Sequence, residues 1–138
     1  MKKSILLLVL LALIFSSCLK TRQTYYPYFY KVFNGTESLI NVYFTPRPHD
    51  YLGKMTLKDT LVVIAPGEEK TLLAVAFPMD NLANPEREDT LKGIHDITIL
   101  LNGSLPSKTN FMKSNKWNFN KVSNLQGELD LYVKPDDF

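Results

Sequence analysis

An all-β chain folded as an antiparallel β-sandwich of about seven to eight strands is what this sequence predicts. Three observations carry the expectation. From Tyr28 onward the chain is a series of short runs rich in Val, Ile, Tyr, Phe and Thr, separated by Gly, Pro and Asn, the composition of strands and turns. No segment of that region sustains the apolar stripe of a helix over about ten residues. Near the end of the chain Leu129, Leu131 and Val133 alternate with Glu128, Asp130 and Tyr132, as in a strand with one buried and one wet face.

Taken in order, strands are expected at about 28–33, 39–45, 60–64, 71–77, 96–101, 117–122 and 128–133, with an additional one near 109–112. In the first, Phe29 and Phe33 share one face and Tyr28 and Tyr30 the other. Asn34-Gly35 and Asn102-Gly103 supply residues that tolerate positive φ between strands. Ala65-Pro66-Gly67-Glu68 matches a type II turn, Pro presetting the first central position and Gly taking the second, so 61–65 and 71–76 are expected to form a hairpin. Leu61-Val62-Val63-Ile64 is apolar on both faces and is expected at the centre of a sheet. Asn84-Pro85-Glu86-Arg87-Glu88 can begin a single helical turn, with Asn84 as cap and Pro85 at the first position. Two long connections, 45–58 and 78–95, are where a binding surface is sought first. The sandwich is expected to be immunoglobulin-like or of a related kind.

The first residues follow a different logic. Lys2 and Lys3 precede an uncharged run from Ile5 to Phe15, then Ser16 and Ser17, the layout of an export signal. The run is shorter than the roughly 20 apolar residues that span a bilayer, so a signal helix at 1–17 is expected to be removed. Phe15 breaks the small-x-small pattern of an ordinary cleavage site. Phe15-Ser16-Ser17-Cys18 instead resembles the lipobox of bacterial lipoproteins, although that family usually has Leu where this chain has Phe15. The chain's single cysteine stands at the position such a motif requires. The resemblance implies that Cys18 is lipidated, that 18–27 is a lipidated tether, and that the membrane is a partner through its lipid anchor. Leu19, in place of Asp, implies the outer membrane, and the lack of an acidic run after Cys18 implies a periplasm-facing position. The domain proper is expected to cover 28–138.

Charge excludes one class of partner. Of the 16 basic side chains, Lys2 and Lys3 fall in the leader, which leaves 14 against 14 acidic ones, and no basic patch for nucleic acid is present. With no cysteine beyond Cys18, the core must hold without internal disulfides.

The search for chemistry yields candidates rather than a site. His49-Asp50 and His95-Asp96 are pairs of the kind found in metal sites and triads, yet no further His or spare Cys completes a metal set at the usual spacing. There is no Gly-x-Ser-x-Gly elbow and no phosphate-cradling glycine run. Asn34-Gly35-Thr36 and Asn102-Gly103-Ser104 match a glycosylation pattern but read as turns. Asp59-Thr60-Leu61 and Asp89-Thr90-Leu91 resemble a short O-glycosylation motif of exported proteins in one group of Gram-negative bacteria, which would make Thr60 and Thr90 acceptors. Tyr25, Tyr26, Tyr28, Phe29 and Tyr30 lie close to the expected anchor, where amphipathic rings can rest at headgroup level or pack as a first strand. Trp117 and Phe119, with Phe111, are candidates for stacking on a sugar, and a core role competes with that use. The expectation is a membrane-anchored interaction or structural module of the cell envelope, neither enzyme nor cofactor protein, partnered by an envelope protein or a glycan. The alternative is a glycan-binding lipoprotein that uses these aromatic residues and the long connections.

Overall fold

The structure, a computed structural model, describes residues 24–47, 60–78, 83–85 and 91–138. The expected signal helix, Cys18, and the central parts of both long connections lie outside the described residues. Among the described residues there are eight strands: β1 (Tyr25–Asn34), β2 (Ile40–Pro46), β3 (Thr60–Ile64), β4 (Glu69–Pro78), β5 (Ile94–Leu101), β6 (Leu105–Pro106), β7 (Trp117–Lys121) and β8 (Gly127–Val133). They form two four-stranded sheets, β4-β1-β8-β7 and β3-β2-β5-β6, the two layers of a β-sandwich.

Alternation explains which face of each strand is buried. Tyr28, Tyr30 and Val32 of β1, Leu129, Leu131 and Val133 of β8, and Trp117 of β7 point inward from one layer. They meet Ile40, Val42 and Phe44 of β2, Ile64 of β3 and Ile94, Ile97 and Ile99 of β5 from the other. In β5 the neighbours His95 and Asp96 are both exposed, because a register shift opposite Thr45 and Pro46 inserts an extra residue between Ile94 and Ile97. Pro27 stands in β1 opposite Ala76 of β4, one residue before β8 joins the ladder at Tyr28.

Several sequence expectations are corrected. The sandwich is not wholly antiparallel: β1 and β8 pair in parallel, Tyr28 beside Gly127 through Asn34 beside Val133. β1 begins at Tyr25, three residues before the expected start, because its pairing with β4 continues to Pro78. The expected hairpin of β3 and β4 does not form. The type II turn is there, with Gly67 at φ 74° and the Glu68 amide donating to Ala65 O at 3.1 Å, but β3 pairs with β2 and β4 with β1. The turn therefore carries the chain from one layer to the other. β3 is an edge strand, not a central one, and Leu61 and Val63 stand on the outer face, 48% and 41% exposed. No strand occupies 109–112; the short extra strand is β6, paired with β5 across Asn102-Gly103, where both residues have positive φ as expected. Residues 86–88 of the expected helical turn lie outside the described residues.

Asn34-Gly35 is also not a positive-φ turn. Asn34 is fully buried and acts as a clamp between layers. Its Nδ2 donates to Ser38 O at 2.8 Å and to Ile64 O at 3.0 Å, and its Oδ1 accepts from the Thr36 amide at 2.9 Å. Its backbone N–H donates to Glu68 O at 2.9 Å, and its carbonyl accepts from the Gly67 amide at 2.8 Å. Asn34 thus ties the β1–β2 connection to the end of β3 through its side chain and to the β3–β4 turn through its backbone.

The strand directions divide the molecule into two ends. At the entry end lie the start of β1, the end of β4, Arg47, Thr60, the start of β5 and the turn from Val122 to Gln126 that joins β7 to β8. At the far end lie residues 34–39, the Pro66-Gly67 turn, Asn102-Gly103 and the C-terminal 3-10 turn, Pro135–Asp137.

Candidate functional site

The aromatic residues proposed for stacking are mostly in the core. Trp117 is only 4% exposed, its indole N–H donates to Phe111 O at 2.9 Å, and its ring meets Tyr30 edge-on at 5.6 Å. Phe111 is buried as well, and Phe119 is half-buried against Tyr28 with ring centroids 6.2 Å apart. A buried indole has no free face for a pyranose, so Trp117 builds no sugar platform in this arrangement.

The buried tyrosines have polar duties that the sequence did not announce. Tyr28 Oη donates to Ala83 O at 2.7 Å, and Tyr30 Oη accepts from the Gly93 amide at 3.1 Å. Both hydroxyls pin described parts of the β4–β5 connection onto the core. Burial pushes the Tyr28 phenol above its ordinary value, with the Ala83 bond opposing and nearby Tyr26 adding to the rise. Gly93 is required at its place, since a Cβ there would come within 2.6 Å of the Tyr30 ring.

Of the remaining candidates, Thr60 is exposed at the first position of β3, whereas Thr90 lies outside the described residues. His95 and Asp96 are both exposed on β5, and His49 and Asp50 lie outside the described residues. Among the described residues no three His, Cys, Asp or Glu side chains converge as a metal site would need. Among them, too, no helix is long and apolar enough to cross a membrane.

On the outer face of the β4-β1-β8-β7 sheet, Lys31 Nζ sits 3.0 Å from Glu128 and 3.3 Å from Glu69. Bonding to Glu128 above all holds the Lys31 ammonium in its charged form and raises its pKa. Beside them Asp130 faces outward yet is 7% exposed. Its Oδ2 accepts from Asn120 Nδ2, while Oδ1 has no hydrogen-bond partner among the described residues. Burial pushes this carboxyl above the usual carboxylate range; Asn120 opposes the rise, Glu128 and Glu69 add to it, and Lys31 also opposes it.

The remaining feature is a cleft at the far end, about 190 Å3 in volume. Its floor is Phe111 and Leu131, its walls carry Asn115, Lys116, Asn118 and Lys134, and Tyr132 and Asp137 close its sides. Two short 3-10 turns shape it, Ser114–Lys116 and Pro135–Asp137. The second is fixed by the Lys134 amide donating to Asp137 Oδ2 at 2.8 Å and by Thr109 Oγ1 donating to Asp137 Oδ1 at 2.6 Å. Asp137 is therefore fully engaged. Ligand pockets usually run from about 300 Å3 upward, so this cleft fits a single side chain or sugar ring better than an extended small molecule. No family model, curated protein or solved structure matches the chain.

Proposed function

We propose that the protein is a lipid-anchored module of the bacterial cell envelope, held at the outer membrane through Cys18, facing the periplasm, and acting by non-enzymatic interaction. The observation that carries this reading is the separation of the two ends. The chain enters the fold at Tyr25, at one end of the sandwich, and the polar cleft of Asn115, Lys116, Asn118 and Lys134 lies at the other. An anchor on Cys18 would hold the entry end at the membrane and present the cleft away from it. The lipobox-like run Phe15-Ser16-Ser17-Cys18 supplies the anchor in this reading. Two or more acyl chains attach stably where one barely does, so such a domain needs no spanning segment.

The two-layer arrangement, with connections that cross between the sheets, supports an immunoglobulin-like or related sandwich. Its four-plus-four distribution differs from the four-plus-three of constant-type immunoglobulin domains. The partner in this reading is an envelope protein or a glycan that inserts one residue or ring into the cleft.

The test is the intact mass of the protein isolated from membranes, beside a Cys18→Ala variant. A mature chain that begins at Cys18 with added acyl mass, and a variant that leaves the membrane fraction, is the expected pair of results. An unmodified chain cut elsewhere, with wild type and variant fractionating alike, would overturn the reading.

A further inference from the structure

We infer that the entry end of the sandwich carries a membrane-docking face, in which Val122 and Leu125 of the β7–β8 turn, with Tyr25 beside them, rest in the headgroup region of the bilayer that holds the anchor. The inference rests on the lipid-anchor reading of Cys18 and adds an orientation to it.

Leu125 is 68% exposed, Val122 54% and Tyr25 43%, so three apolar or amphipathic side chains face solvent. They are drawn together by the parallel pairing of β1 with β8. Tyr28 lies beside Gly127, which pairs in turn with Lys121, so the turn 122–126 projects past Gly127 toward the level of Tyr26 and Tyr25. The turn is built, not loose. The Val122 amide donates to Gln126 O at 3.1 Å, the Ser123 amide to the same oxygen at 3.3 Å, and the Leu125 amide to Ser123 Oγ at 3.1 Å. This hydrogen bonding holds Leu125 outward at the tip although no part of the core receives it. Exposed Lys121 flanks the turn, a cation suited to anionic headgroups.

The length of the tether decides which surface covers the patch. Only residues 19–24 lie between Cys18 and Tyr25, and seven Cα steps reach at most about 25 Å. Strands of this sandwich are themselves about that long. A tether this short makes the entry end the part of the fold nearest the bilayer that holds the acylated cysteine. An apolar tip and an interfacial tyrosine are what such a surface accepts, with burial of about 5–10 Å into the boundary between headgroups and chains.

The test uses the full chain, purified from membranes and reconstituted into vesicles of phosphatidylethanolamine and phosphatidylglycerol. Acylation consumes the only native thiol, so Asn124→Cys places a single fluorophore at the turn tip without altering Val122 or Leu125, and Ser104→Cys places one at the far end as reference. The expected result is iodide quenching about threefold weaker at 124 than at 104, with quenching by lipid-borne nitroxide at 124 alone, as interfacial burial requires. Adding Val122→Glu and Leu125→Glu to the Asn124→Cys chain is expected to restore aqueous access at 124. Equal quenching at 124 and 104 in an anchored chain would overturn the docking face and leave the anchor reading standing. Protection that persists in the glutamate variant would show that the apolar tip does not carry it, and would equally overturn the inference. A chain that lacks acyl groups and does not stay with vesicles would overturn both readings.

Discussion

Replacing Asn34 with alanine isolates the clamp between the layers. The substitution leaves the Ile64 carbonyl and the Thr36 amide without the partners they have at 3.0 Å and 2.9 Å, both in buried surroundings. Ser38 O loses one donor but keeps Thr36 Oγ1 at 2.9 Å. An unsatisfied buried group costs about 1–3 kcal/mol, so two of them, partly relieved by relaxation, should cost about 3 kcal/mol. Domains of this kind are stable by only about 5–15 kcal/mol, which makes the loss a substantial fraction. For a domain near 110 residues the melting temperature should fall by on the order of 10 °C. Urea unfolding followed by circular dichroism measures this directly, with a lower midpoint and an unchanged slope. Asn34→Gly sharpens the test: were Asn-Gly here a positive-φ turn, glycine would be tolerated, whereas a clamp is lost with either residue. A loss below about 0.5 kcal/mol in both variants, the usual effect of an innocuous surface change, would refute the reasoning.

Three further outcomes are expected. Gly93→Ala should destabilise the domain by several kcal/mol through overpacking against Tyr30, while Tyr30→Phe should cost only about 1–3 kcal/mol by orphaning the Gly93 amide; thermal melts of both check the order. Asp130→Asn should raise the melting temperature at pH 7. A carboxyl whose folded pKa lies above its unfolded one favours folding fully at low pH and loses that contribution as pH rises through the folded pKa, so variant and wild type should differ less toward pH 3, as a series of melts across pH would read. Trp117 emission should be shielded from acrylamide and unmoved by added saccharides; strong quenching or a sugar-dependent shift would contradict its place in the core.

What the sequence made legible was local. Leu129, Leu131 and Val133 alternate with polar neighbours, and they are buried as the period requires. The Pro66-Gly67 and Asn102-Gly103 turns carry the positive φ their glycines suggested. What stayed hidden depends on partners distant in sequence. Nothing near Tyr28 indicates that Gly127 runs parallel beside it, and the turn signal after β3 is the same whether the chain reverses within a sheet or crosses to the other. Leu61-Val62-Val63-Ile64 looked central because apolar residues on both faces usually mean two covers, yet an edge strand leaves Leu61 and Val63 half in water. Asn34 carries the same Asn-Gly signature as Asn102, and only its burial distinguishes a clamp from a turn. The cleft brings together two stretches distant in sequence, 111–118 and 131–137, and its one local trace is the polar run Lys113-Ser114-Asn115-Lys116.

The parallel neighbours β1 and β8 also determine how the domain answers force. Tension entering through the residues before Tyr25 pulls β1 toward the entry end, while tension at the chain's last residues, which follow Val133, pulls β8 the opposite way. The two strands are then drawn lengthwise past each other, and the ladder from Tyr28 to Asn34 resists in shear, its bonds strained together. An antiparallel pair pulled from one end would instead open one bond at a time. Forced unfolding is governed by the rate of crossing its barrier, and this geometry raises that barrier for a pull directed from the start of β1 to the end of β8.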